Sequence, residues 1–240
     1  MSSRSGDELI ELLLADEVSA EEEGKAANDL LREVFRGYPA HNLGRLIHSD
    51  SMKAVANGAF VVSELGAQAA PIIGEVDFLL GHPLREARFD ALDAALTAAS
   101  VEHGAILAKA VMLVADADHA VRQKALRFLA NATPDQLNAA VPHLEDRQIA
   151  DLATWLASAG SDPASLPDIR GRLQDPDKVT RMFAAAAAAR VAATTREGLE
   201  DGAVSDDPDI RTFATRVIKI LDLHRQTRAE QEQRRRDQGL

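Results

Sequence analysis

The chain carries seven histidines, at positions 41, 48, 82, 103, 119, 143 and 224, and these are its best candidates for metal or proton chemistry. No two stand four residues apart with a glutamate between, the spacing that puts two imidazoles and a general base on one helix face. His41 and His48 are two helical turns apart and share a face, but no carboxylate accompanies them to complete a ligand set. The segment Asp116-Ala117-Asp118-His119 has metal-like composition, yet it stands where a helix begins, and there an aspartate caps backbone N–H groups. A Gly-x-Ser-x-Gly elbow, a phosphate-cradling glycine loop with its lysine and a dinucleotide fingerprint are all missing from the sequence. Asp151 and Trp155, at i and i+4, set a carboxylate beside an aromatic ring. With no cysteine, thiolate nucleophiles, thiolate metal sites and disulfides are excluded. The expectation is a chain with no catalytic residue, no metal and no cofactor.

The elements that would position these residues are helical. Apolar residues recur three and four apart almost throughout, and no segment alternates as a strand would. Hydrophobic residues make up 46% and aromatics only 4%, with abundant alanine, a composition that favours close-packed helices. The net charge of −11 is unevenly placed: −6 in residues 1–37 (ten acids, four bases), −7 in 38–218 (24 and 17), and +2 in 219–240 (four and six). An acidic body disfavours a phosphate backbone as partner, because nucleic-acid affinity comes chiefly from neutralising phosphates with Lys and Arg. It tolerates a basic protein partner, because opposite potentials speed encounter, and it also serves simply to keep an alanine-rich chain in solution. The first residues lack a basic segment followed by an apolar run, and Phe183–Ala189 is far shorter than the ~20 apolar residues that span a bilayer. The expected location is the cytoplasm, with no membrane contact.

Internal repetition organises the sequence. A turn containing Asp, Ser or Pro returns six times, at 49–51, 81–83, 116–118, 145–146, 175–177 and 206–209. An apolar anchor follows each turn: Met52, Ala87, Val121, Ile149, Val179 and Ile210, spaced by 35, 34, 28, 30 and 31 residues. A basic residue follows the anchor at Lys53, Arg88, Arg122 and Arg211, and Ala150 takes that place in the short fourth unit. Shorter helices are expected at about 41–48, 71–80, 103–114, 134–144, 165–173 and 196–203, giving about six hairpins, because one helix pair cannot cover its own apolar face. Ser19 followed by Glu22 is a capping signature inside a polar N-terminal hairpin. The boundaries read as an N-terminal cap (1–39), a repeat array (40–222) and a charged tail (223–240), either a fraying helix or disordered.

The segments Asp118-His119-Ala120-Val121-Arg122-Gln123-Lys124-Ala125 and Asp207-Pro208-Asp209-Ile210-Arg211-Thr212-Phe213-Ala214 resemble HEAT repeats. That resemblance, over residues 40–222, implies an all-α, right-handed α-solenoid with a ladder of turn aspartates and arginines and with second helices lining a concave face. On that face the candidate binding residues are Lys53, Asn57, Arg85, Arg88, Arg122, Lys124, Arg127, Asp151, Trp155, Arg181 and Arg211. Phe60, Phe89, Phe128, Trp155, Phe183 and Phe213 recur once per second helix, a regularity that marks core residues. The expected function is non-catalytic binding of one partner protein, such as a toxin or enzyme, by a chain that is monomeric when free. It is the role of an immunity protein, inhibitor or adaptor. The alternatives are a DNA-binding glycosylase of HEAT-like build, for which Asp151 and Trp155 would serve, and a scaffold in a larger assembly.

Overall fold

Fourteen α-helices and no strand occur among the described residues of the computed structural model, which are 5–15, 17–159 and 162–237. They follow one another as α1 (Gly6–Leu14), α2 (Ala20–Phe35), α3 (Gly44–Ile47), α4 (Met52–Glu64), α5 (Ile73–Leu80), α6 (Arg85–Ala98), α7 (Gly104–Met112) and α8 (His119–Asn131). Then come α9 (Pro134–Ala140), α10 (Arg147–Ala159), α11 (Leu166–Leu173), α12 (Lys178–Val191), α13 (Glu197–Ala203) and α14 (Pro208–Asp237). Short 3₁₀ turns adjoin the smaller helices, two of them where Pro71 and Pro142 remove a backbone donor. The longer helices α4, α6, α8, α10, α12 and α14 each follow one of the six turns. No single helix among the described residues is long and apolar enough to cross a membrane. The pair 52–64 and 66–80 passes only when taken together, across a bend of 119°.

The described residues form two compact units, Met1–Thr154 and Trp155–Leu240. In the first, α4 packs on α6 and α6 on α8, while α5 packs on α7 and α7 on α9. The α1–α2 hairpin lies against α3 and α4. Arg45 pairs with Asp7 and Glu11 across that junction, and the Tyr38 hydroxyl donates to Asp7 at 2.7 Å. Ser5 and Ser19 cap the two helices of the hairpin. In the second unit α11 packs on α12 and α13, and α12 on α14.

Alanine sets the packing distance. Ala54, Ala59, Ala87, Ala91, Ala94, Ala95 and Ala125 are all fully buried where α4, α6 and α8 meet, and Ala184 to Ala188 form a buried run in α12. Of the six recurrent aromatics, Phe128, Phe183 and Phe213 are core, whereas Phe60, Phe89 and Trp155 remain part-exposed. The expected anchors need two corrections. Met52 is 54% exposed and Val179 only half-buried, because they lie one and two residues past their N-caps, Ser51 and Asp177. Ala87 and Val121 lie three past theirs, and the residues at that place in α4 and α12, Ala54 and Thr180, are the buried ones. The basic run at 234–236 falls in a continuous helix, since α14 extends to Asp237.

Gly104 is where backbone approach is closest. A β-carbon there would stand 2.4 Å from the Ala139 carbonyl oxygen and 2.6 Å from the His143 ring, whereas one on Gly171 in α11 would meet nothing within 4 Å. Gly104→Ala is expected to cost about 1–3 kcal/mol through overpacking. Gly171→Ala is expected to gain about 0.5–1 kcal/mol from helix propensity. Chemical denaturation of the two variants checks the contrast.

Candidate functional site

Four of the eight cationic residues expected on an open face close the turns with their guanidinium groups. At five of the six turns the amide of the N-cap donates to the side chain two residues earlier: Ser51 to Ser49, Leu84 to His82, Asp118 to Asp116, Asp177 to Asp175 and Asp207 to Ser205, at 2.7–3.2 Å. Four residues into the helix an arginine folds back over the same turn. Its Nη1 donates to the two carbonyls that precede the cap: Arg88 to His82 and Pro83, Arg122 to Asp116 and Ala117, Arg181 to Asp175 and Pro176, and Arg211 to Ser205 and Asp206. The fourth turn has neither device. Leu144 and Ala150 stand at those places, in the stretch that closes on the division between Thr154 and Trp155.

Two of these arginines also reach the next turn. Arg88 binds Asp116 through both Nε and Nη2, at 2.7 and 3.0 Å, and Arg181 meets Asp207 at 3.3 Å. Burial alone would raise the Asp116 pKa, but donation from Arg88 and from the Asp118 amide holds the carboxyl below its usual range. Burial, then the nearby Arg88 charge, lowers the pKa of His82, whose Nδ1 accepts the Leu84 amide.

The remaining candidates are arranged as follows. Lys53 and Asn57 turn to Glu23 of the N-terminal hairpin, at 3.0 and 3.2 Å. Lys124 pairs with Asp93 and lies 4.2 Å from the centre of the Phe89 ring, while the exposed Arg127 comes to 3.9 Å of Asp93. Arg85 pairs with Glu86 at 2.8 Å and approaches Asp118 at 3.7 Å. Asp151 is exposed, and Trp155 donates its Nε1 proton to Asp168 at 2.5 Å with the Arg172 guanidinium over its ring. Trp155 is thus engaged within the fold, whereas Asp151 stays open to solvent. His48 is likewise engaged, by Glu75 at 2.8 Å and by the Phe78 ring. No group of three His, Asp or Glu side chains among the described residues has the spacing to hold a metal ion.

A cavity of about 440 Å³ is bordered by Asp175, Arg181 and Asp207 of the paired turns; a smaller one differs in having apolar walls. Between the N-terminal halves of α6 and α8 lies a cavity of about 220 Å³, walled by Phe89, Ala120 and Val121, with Arg85, Glu86 and Asp118 at its edge. The half-buried Asp90 carboxylate borders it and has no hydrogen bond or ion pair among the described residues. Burial raises the pKa of Asp90 to about 6; Lys124 opposes that rise, and Asp93, Glu64 and Glu86 add to it. Sequence reasoning named Arg85 but missed Asp90, because nothing in the local motif marks a carboxylate as unpartnered.

No protein-family model matches the chain, and no curated protein matches it. Among solved structures it is similar to two engineered proteins, Northeast Structural Genomics Consortium targets OR329 and OR497. The first is 18% identical over 89% of this chain and 95% of its own, with a TM-score of 0.46. The second is 17% identical over 88% of this chain and 66% of its own, with a TM-score of 0.46.

Two expectations follow from the site. Arg88→Met breaks a pair whose side chains are 16% and 7% exposed and should cost about 2–3 kcal/mol, whereas Arg211→Met, at an exposed turn, should cost under about 1 kcal/mol. Asp90 behaves oppositely. Its folded pKa lies above the unfolded value of 3.8, so its favourable contribution is complete below pH 4 and lost as pH rises through about 6. The ionised group then costs about 1–2 kcal/mol once solvent screening is allowed for. Asp90→Asn should raise the melting temperature by about 2–6 °C at pH 7.5, with the difference shrinking to zero below pH 4 in calorimetric scans.

Proposed function

We propose that this chain is a HEAT-repeat α-solenoid that binds one partner protein and performs no catalysis, in the manner of an immunity protein, inhibitor or adaptor. The repeated hairpins, packed in sequence order within each unit and closed by the same arginine turn, support the solenoid reading. The observation that carries the binding reading is the α6–α8 cavity, where apolar walls meet an unpaired carboxylate. Keeping such a carboxylate costs the fold stability, as sites kept for binding commonly do. The cationic side chains that a DNA-binding reading needs are largely paired with acids, which favours a protein partner over a phosphate backbone. On this reading the free chain is a monomer in the cytoplasm.

Affinity purification with the tagged full chain is expected to recover one protein at 1:1 stoichiometry. The purified partner, at 100 times its dissociation constant, should raise the chain's unfolding free energy by about 2.7 kcal/mol. Absence of any stoichiometric protein, together with salt-dependent binding of duplex DNA in fluorescence anisotropy, would overturn the reading.

A further inference from the structure

We propose that the cavity between α6 and α8 receives an arginine or lysine side chain of the partner protein, its hydrocarbon stem against Phe89 and Ala120 and its charged head on the Asp90 carboxylate. This deepens the protein-binding reading and rests on it.

Three successive long helices carry a polar residue at one equivalent position. Asn57, Asp90 and Lys124 each lie six residues past the N-cap of their helix, Ser51, Leu84 and Asp118. Asn57 is satisfied by Glu23 and Lys124 by Asp93, while Asp90 is the member with no mate among the described residues. Lys124 is the cation nearest in effect, but it is committed to Asp93 and lies over the Phe89 ring. Arg85 does not fill the vacancy either, since Glu86 and Asp118 both draw on it. The edge of the cavity therefore keeps one negative charge in excess, and Asp90 adds a second.

The shape narrows the occupant. About 220 Å³ is below the ~300–1,000 Å³ of small-molecule sites and suits a single long side chain. Apolar walls leading to a carboxylate match the two halves of a lysine or arginine, whose methylene stem buries well while its head seeks an anion. A divalent ion needs several oxygen donors, and no such group converges among the described residues. The acidic net charge of the chain favours approach of a basic partner.

The probe is N-acetyl-arginine amide, titrated into the isotope-labelled full chain and followed by NMR at the Ala120 and Val121 methyls. N-acetyl-citrulline amide, of the same length and uncharged, is the control. Saturable millimolar binding of the arginine probe is expected, at least tenfold weaker in Asp90→Asn and lost in Ala120→Arg, which fills the cavity; the control should not bind. Absent shifts, equal shifts with citrulline, or undiminished binding in a folded Asp90→Asn would overturn the proposal. A partner that binds wild type and Asp90→Asn equally would refute this inference while leaving the protein-binding reading in place. Arginine binding at Asp90 with no stoichiometric partner would do the reverse.

Discussion

A helix that begins inside a protein leaves its first amide N–H groups and the carbonyls of the preceding turn without partners. This chain meets that constraint with one local device, used repeatedly. A side chain two residues before the cap takes the cap's amide, the cap takes an amide of the first turn, and an arginine four residues on takes the two turn carbonyls. Because one guanidinium offers five donors in a rigid plane, it can close its own turn and still reach the next, as Arg88 does with Asp116. The packing of successive long helices depends on these turns being closed at similar geometry. Small alanines then set how near the helices come.

The same economy explains where the surface is quiet. Many of the charged side chains on α4, α6, α8 and α12 are already held by the fold, so their number says little about binding. The fourth turn lacks both the polar side chain before the cap and the arginine after it, and the two compact units divide in the helix that follows. The α6–α8 region differs in another way. Its first turn keeps the histidine before the cap and the arginine after it but has Leu84 at the cap, which accepts no amide, and the side chain at the sixth position is an acid whose neighbouring base is drawn elsewhere.

The helical elements were legible from the sequence because the turns carry their own chemistry: Asp and Ser caps, proline near the helix starts, and arginine at a fixed distance. The shorter helices stand where the spacing puts them, and the Asp116–Asp118 pair is the cap and arginine partner that the repeat demands rather than a metal site. Register was less legible. Met52 and Val179 looked like anchors because they are apolar residues just past a turn, but the buried position is counted from the cap, which makes Ala54 and Thr180 the packed residues. The binding residues were the least legible. Periodicity places Arg88, Arg122, Arg181 and Arg211 on one helix face but cannot reveal that a guanidinium curls back over its own turn. Asp90 stands out only once Lys124 is seen to choose Asp93, a decision of three-dimensional geometry that the motifs around both residues do not encode.

The central claim is that the fold leaves the Asp90 carboxylate unpaired beside an open, apolar cavity. Carbon-detected NMR of the side-chain carboxyls, followed through a pH titration of the full chain, reads that directly. The account predicts an Asp90 midpoint near 6, well above the ordinary aspartate value. A midpoint at or below about 4 would contradict it, since that would mean the carboxylate is solvated or already has a partner.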